Sequence, residues 1–552
     1  MELIERAARA YLAGAEASLQ EVAVELQVPR KAEHGDWASN VALKLAKSLG
    51  RPPMEVAQGI RDHVEPNELL EPVEVAPPGF INLRLNAAWL RRTIQTVLAA
   101  GEAYGRSQAH EGERALVEFV SANPTGPLHV GHGRNAVVGD TLARLYAAVG
   151  FRVEREYYYN DAGVQMGLLG ESLRARYLQQ LGRPAQIPDD GYQGEYLIRI
   201  AERLAAEAGE AQADGAPTAY FTEYAAQAIM ADIRRDLETL DIRFDRFSLE
   251  SSLHAAGRVS QTLDRLRQRG MLYEHEGALW LKTTDYGDEK DRVVRKKDGE
   301  TTYLAPDIAY HEEKFARGYD RLVNVWGGDH HGYVARLKAA IAGLGEDPSR
   351  LHCVLIQMVG VRESGTARKL STRSGDFVPL AEILKEFGPD LARYFFLSRA
   401  ADSQMVFDLD LARSQSMDNP YFYLQYAHAR CCSLLRKAEA QGFEPGAGAV
   451  TAPLELIQAP EERAIVVLIG RFPAVVLEAA EGDEPLTVTL FLRDLATAFH
   501  AYFTAGNRDT ALRCVQPERP DLTAARLALI LALRQTLANG MALLGLRPME
   551  RL

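Results

Sequence analysis

Cysteine is scarce in this chain. The 552 residues hold four, Cys353, Cys431, Cys432 and Cys514, and no CxxC pair. Adjacent Cys431 and Cys432 would point in different directions on a helix, so neither a thiolate metal site nor a disulfide scaffold is expected. A reduced, cytoplasmic protein without structural metal fits best. Long apolar runs are missing too. None approaches the roughly 20 residues that span a bilayer, so no membrane partner is expected. The opening MELIERAARAYLAG reads as an amphipathic helix with acids, not as the basic-then-apolar layout of a signal peptide. A basic excess is also lacking: net charge is −12. Net charge averages over a whole surface on which a local basic face can persist, so it decides nothing about nucleic acid. No internal repeat is visible.

What remains is an ordinary globular composition, 47% hydrophobic and 25% charged, long enough for roughly three or four domains. Residues 1–105 read as a first α/β unit, with helices over 1–13, 38–49, 53–63 and 87–100 and a strand over 79–85. Glycine-containing sequence at 101–112 marks a boundary. Residues 106–388 alternate strands (115–120, 153–158, 322–326, 353–359) with helices (135–149, 333–344), which predicts an α/β fold with a doubly wound parallel sheet. Residues 160–290 read as a helix-rich insertion. Lys297-Asp298-Gly299 is a hairpin turn between 291–296 and 301–304. Residues 389–552 predict a helical bundle over 391–397, 421–437, 461–480, 486–505 and 522–544.

The most informative run is ALVEFVSANPTGPLHVGHGRNAVVGD, residues 115–140. A strand leads through a Pro/Gly turn into HVGH and then a helix. His129 and His132 sit where that helix begins, and Gly131 removes the side chain between them. Helix N-terminal N–H groups suit a phosphate, and two imidazoles can donate to phosphoryl oxygens as charge develops. Two plainer readings compete. The histidines can be helix caps. Gly131-x-Gly133-x-x-Ala136, with Glu154 about 20 residues on, also matches a relaxed dinucleotide fingerprint, although its glycines lie about ten residues beyond the strand rather than directly after it.

The run resembles the HIGH motif of class I aminoacyl-tRNA synthetases, with HVGH as the variant, and EFVSANPTGP is similar to its arginyl form. A second family element has a counterpart in Arg368-Lys369-Leu370-Ser371-Thr372-Arg373-Ser374-Gly375, residues of the 368–376 loop that resemble the KMSKS loop. A mobile basic loop can follow charge onto a leaving pyrophosphate, Lys369 as a point charge and Arg373 as a forked donor. A solvated basic turn is the plain alternative. Thr372 stands where the second lysine of KMSKS is usual, which puts that lysine's role in doubt. Gly327-Gly328-Asp329-His330-His331 is similar to the family's G-x-D element, whose aspartate bonds the ATP ribose; the plain reading is a turn with Asp329 as helix cap. Met358 and Val359, after Gln357, match a strand end that contacts adenine through backbone. The resemblance thus implies His129, His132, Lys369 and Arg373 as catalytic, and Gly131, His132, Gly133, Gly327, Asp329, Met358, Val359, Lys369 and Ser371 as ATP-binding.

An arginine side chain carries five donors on a flat cation, so its pocket needs carboxylates and flat polar partners. Glu118 lies eleven positions before His129, Asn123 follows in the loop, and Tyr303 and Asp307 stand one helical turn apart. These match the arginine-binding positions of the arginyl family, which implies His129 and His331 as well. Singly, Glu118 reads as an edge charge, Tyr303 as core and Asp307 as a cap. Unpaired buried acceptors would reject other amino acids by about 10⁴–10⁵, so no editing site is expected. The resemblance extends to both flanks. HGDWASNVALKLAK and GFINLRL look like the family's N-terminal tRNA-elbow-binding domain, and PDLARY and NPYFYLQYAHAR like its anticodon-binding bundle. There Tyr421, Tyr426 and Arg430 are expected to meet splayed bases, unless the tyrosines are bundle core, as at least one of Tyr421, Tyr423 and Tyr426 should be. The implied partners are tRNA(Arg), L-arginine and ATP with Mg²⁺ held mainly by its phosphates, and the implied state is a monomer. The rivals are another class I synthetase, an NAD(P)-dependent dehydrogenase, and a tRNA-binding module without catalysis.

Overall fold

The computed structural model describes residues 2–13, 24–27, 29, 31–161, 163–367, 377–446, 449 and 451–552. The central element is a five-stranded sheet built from β1 (Arg114–Glu118), β2 (Arg152–Tyr159), β3 (Arg246–Leu249), β4 (Arg321–Gly327) and β5 (Leu351–Ile356). Their order in space is β5-β4-β1-β2-β3, every pair parallel. Helix α1 (Val130–Ala148) links β1 to β2, α2 (Leu304–Ala316) leads into β4, and α3 (His331–Leu344) joins β4 to β5. The path runs one way from β1 and the other way from β4, so a crevice opens past the carboxyl ends of β1 and β4. Ala115, Leu116 and Val117 of β1 are fully buried, as a strand covered on both faces requires.

Residues 160–290 depart from the expected helical insertion. Helices Val164–Gln180, Glu195–Ala208 and Thr218–Thr239 are present, but the chain then returns to the sheet as β3. Helices Glu250–Ala255 and Arg258–Gln268 follow, then an antiparallel sheet of Leu272–His275, Ala278–Leu281 and Arg292–Arg295. β3 is four residues of RFSL on an exposed edge, too short and polar to show a strand pattern. The Lys297-Asp298-Gly299 turn forms, with Lys296 N–H donating to Glu300 O at 2.8 Å, yet 301–304 is no strand: one bridge pairs Arg295 with Thr301, and α2 starts at Leu304. The expected strand 353–359 ends at Ile356, and Val359–Glu363 pairs instead with Met405–Asp408 in a small second sheet.

The N-terminal residues keep their own core, with Ile4, Val41, Leu45, Ile60 and Ile81 fully buried among themselves. Here Trp37–Ser39 is a strand and the helix begins only at Val41. Helix Ala87–Ala100 belongs elsewhere in the packing. Leu90, Ile94 and Val97 join the large core, and a Cβ on Gly470 would meet the Trp89 ring. Apart from the short Leu409–Arg413, the C-terminal α-helices are Pro389–Phe396, Pro420–Glu439, Pro460–Glu481, Leu486–Arg508 and Pro520–Leu543. Four of them open on proline, which needs no helical donor in the first turn. Among the described residues no helix is long and apolar enough to cross a membrane.

Candidate active site

The HVGH turn caps α1. The His129 ring accepts at Nδ1 from the Gly131 and His132 backbone N–H groups, at 3.1 and 3.4 Å, and His132 Nδ1 accepts from His129 N–H at 3.3 Å. The rings stack at 3.8 Å. Burial lowers the pKa of His129, and burial together with His129 lowers that of His132 to about 3, so both rings are neutral near pH 7. A neutral imidazole accepting at Nδ1 carries its proton on Nε2. The cap reading and the donor reading therefore hold together, since one nitrogen closes the helix and the other keeps an N–H for a ligand. Gly131 is required here, because a Cβ would come within 2.9 Å of the His129 ring. Gly133 faces inward, where a Cβ would meet Leu380 and Phe396, so it packs the helix rather than opening it to a phosphate.

The dinucleotide reading fails on Glu154. It stands in the first half of β2, away from the strand's carboxyl end, and its carboxylate is engaged by Arg317 and Tyr319.

Lys369, Ser371 and Arg373, with Arg368 and Thr372, lie outside the described residues. The segment after them is bonded to the HVGH turn. Val130 N–H donates to Val378 O at 3.2 Å, Leu380 N–H to Leu128 O at 2.8 Å, and the Phe377 ring lies 5.9 Å from His129.

Gly327, Gly328 and Asp329 form the turn from β4 into α3. Asp329 does not cap α3; the cap position is His330, and the Asp329 carboxylate is 82% exposed beside the His330 ring. His331 is exposed in the first turn of α3. Met358 is exposed at the end of the β5 segment, and Val359 is buried at the start of the next strand.

Glu118, at the end of β1, is 4% exposed. It accepts from Ser121 Oγ at 2.8 Å and from Lys314 Nζ. Val120 and Ser121 follow with φ of 64° and 43°, a left-handed strain that Asn135 secures by accepting from Val120 N–H at 2.6 Å. Asn123 is exposed in the loop, accepting from Asn160 N–H at 3.0 Å. Tyr303 precedes α2, 70% exposed, its hydroxyl 3.0 Å from Arg336 Nη1 and its ring against Tyr333. Asp307 lies one turn on, half-buried. Burial works to raise its pKa, but His311, the Tyr333 hydroxyl and Lys314 outweigh it and hold the carboxyl below its ordinary value.

Sequence reasoning missed the supporting groups. Tyr158 at the end of β2 donates to Glu250 at 2.8 Å and stacks on Tyr310. Burial first, then the negative charge of Glu250, Asp307 and Glu118, raises its pKa and keeps the hydroxyl a donor. Arg134, fully buried, donates to the carbonyls of Gln357, Ser403 and Ala400 at 3.0, 2.8 and 2.6 Å. Cys353 also lies near the pocket, its thiol pushed up to about 12 by burial. Among the described residues no three His, Cys, Asp or Glu side chains converge as a metal site would.

In the bundle, Tyr421 is buried, 3% exposed against Tyr394 and Phe422, which corrects the expectation that it stacks on a base. Tyr426 and Arg430 stay together on a partly exposed face, the guanidinium 5.9 Å from the ring centre.

Comparison with known proteins decides the family. Residues 93–395 match the model for "tRNA synthetases class I (R), catalytic domain", residues 2–85 the arginyl tRNA synthetase N-terminal domain, and residues 424–552 the DALR anticodon binding domain. Arginine–tRNA ligases of Citrifermentans bemidjiense and Moorella thermoacetica are 45% and 46% identical, each over 96% of this chain and 95% and 93% of theirs. The chain belongs to the arginyl-tRNA synthetases. The arginyl-tRNA synthetase structure from Thermus thermophilus shares the fold, with a TM-score of 0.77 at 24% identity over all of both chains. Membership of a class I family accounts for HVGH at the crevice and for the helical C-terminal third, which the dehydrogenase reading leaves unexplained.

Proposed function

We propose that the chain ligates L-arginine to tRNA(Arg) in two steps at the crevice past β1 and β4. A carboxylate oxygen of arginine attacks the α-phosphorus of ATP. That bond forms as the bond to pyrophosphate breaks, leaving arginyl-adenylate. The terminal ribose hydroxyl of the tRNA then attacks the acyl carbon and AMP departs. No protein nucleophile is needed; positioning and charge stabilisation carry both steps.

The observation that carries this reading is the pair of neutral imidazoles closing α1, each with Nε2–H left over. His129 and His132 donate to phosphate oxygens. Gly131 lets the nucleotide approach, Asp329 bonds the ribose, and the backbone at Met358 and Val359 meets adenine. Lys369, Ser371 and Arg373 take the pyrophosphate side, with Arg368 or Arg373 sharing the role that Thr372 cannot fill. ATP brings Mg²⁺ on its phosphates. Glu118, Asn123, Tyr303, Asp307, His129 and His331 receive the amino acid. Residues 1–105 touch the tRNA elbow, 106–388 carry the chemistry, and 389–552 take the anticodon with Tyr426 and Arg430. The chain acts as a cytoplasmic monomer.

Arginine-dependent ATP–pyrophosphate exchange tests the reading, run with and without cognate tRNA and with lysine as control. Exchange with arginine alone, appearing on addition of tRNA, is expected. Folded protein with no exchange under saturating ATP and tRNA would sink it.

A further inference from the structure

The two carboxylates placed around the arginine guanidinium are joined beneath the pocket by side chains the mechanism above does not use. Lys314 of α2 is fully buried. Its ammonium bonds Glu118 Oε2 and, at 2.8 Å, Asn324 Oδ1 in β4. With its oxygen taken by a cation, the Asn324 amide turns Nδ2 toward His311 Nε2 at 2.6 Å. Nε2 is then an acceptor, so the ring proton lies on Nδ1. That nitrogen faces the Asp307 main-chain oxygen at 2.8 Å and its carboxylate at 3.3 Å. One buried ammonium thus fixes an amide orientation, a tautomer and a carboxylate in turn.

The charges divide unequally along this path. Glu118 is bonded directly by a cation, whereas Asp307 is bonded by the His311 and Tyr333 donors and feels the Lys314 charge only from a distance. Glu118, Asp307 and Lys314 together carry one negative charge, and a bound guanidinium brings the sum to zero. Without Lys314 the loaded pocket would keep an unmatched buried anion, which is costly.

We propose that Lys314, Asn324 and His311 are positioning residues of the arginine pocket: Lys314 cancels Glu118 and, through Asn324 and His311, sets Asp307 as the anion that reads the substrate cation. This rests on the reading of Glu118 and Asp307 given above. It also predicts that a neutral isostere such as citrulline is refused, because only a cation completes the charge balance.

The test is exchange at saturating cognate tRNA, with arginine KM, ATP KM and citrulline inhibition measured for Asp307→Asn, Lys314→Met, Glu118→Gln, His311→Gln and Lys314→Met/Glu118→Gln, each checked for folding by a thermal melt. Lys314→Met should raise arginine KM about tenfold or more at constant ATP KM, by leaving Glu118 unpaired. Adding Glu118→Gln should recover part of that loss, a rescue that a merely structural lysine would not show. His311→Gln, which keeps a buried polar group and serves if Lys314→Met does not fold, should raise arginine KM and narrow the preference over citrulline. Unchanged arginine KM in Lys314→Met or, where only it folds, in His311→Gln overturns the proposal. So does a double variant whose loss is the product of the two single losses. If Asp307→Asn itself leaves arginine KM unchanged, the pocket reading fails; if Asp307→Asn loses arginine and the network variants do not, only this inference fails.

Discussion

His132 divides its work between two nitrogens, and its titration follows from that. Its Nδ1 is occupied by the His129 backbone N–H, and burial with the neighbouring His129 brings its pKa to about 3. The folded state therefore refuses a proton that the unfolded chain accepts near pH 6.5. Above that pH the group contributes nothing to pH dependence. As pH falls from about 6.5 toward 3, stability is lost, by at most about 1.4 kcal/mol per pH unit. His129 shifts in the same direction. Thermal melts at pH 5 and pH 7.5 should show a smaller acid-side drop for His132→Gln than for the parent chain, and equal drops would refute the neutral-ring assignment. The motif was legible from the full run EFVSANPTGPLHVGH, not from HVGH by itself. The tautomer was not, since it depends on where three backbone N–H groups point. Lys314 and His311 were missed for a related reason: each is an unremarkable helix residue until β1 and β4 bring Glu118 and Asn324 beside α2.

At the scale of elements, the crevice depends on how α1 is tied to the end of β5. The sequence pattern starts this helix at 135, five residues late, because histidine is not a usual capping residue and the capped turn holds two glycines. The cores of the strands and C-terminal helices were readable from periodicity, while the short polar β3 escaped it. Arg134 supplies the tie. Its guanidinium is wholly buried and satisfies carbonyls at Gln357, Ala400 and Ser403, where the chain leaves β5 and where it approaches the second sheet. Arg134→Met fills the volume but strands those carbonyls. It should cost about 3 kcal/mol or more. It should also raise ATP KM more than arginine KM, because Met358 and Val359 follow directly on Gln357. Urea unfolding with the two KM values checks this, and a loss below about 1 kcal/mol would show that the carbonyls find other donors.

Across the whole molecule, the helical bundle is docked on the edge of the sheet opposite the crevice. Beside apolar packing on α1 and the Arg393–Asp140 ion pair, one loop residue gathers the polar contacts there. Asp483, between helices Pro460–Glu481 and Leu486–Arg508, holds a left-handed φ of 56° and accepts from three groups. These are Arg321 opening β4 at 2.5 Å, His352 in β5 at 2.9 Å, and the Tyr146 hydroxyl in the last turn of α1. Its partners lie 131 to 337 residues away in sequence, so no local pattern could announce it. Burial pushes the Asp483 carboxyl up, but His352, Arg321 and Tyr146 together outweigh it and hold the pKa below its ordinary value. The sign follows. The stabilisation is present above the ordinary aspartate pKa of about 3.9 and is lost as pH falls through the lowered one. Asp483→Ala removes it at every pH and leaves the Arg321 guanidinium partly buried without that carboxylate, a loss of about 3 kcal/mol or more. Because the junction is far from Asp307 and Asp329, arginine and ATP KM should hold while the melting temperature falls. Differential scanning calorimetry should show the bundle and the sheet unfolding in separate steps. A single transition at the parent temperature would mean that apolar packing on α1, such as that of Phe396 against Gly133, joins the two parts unaided.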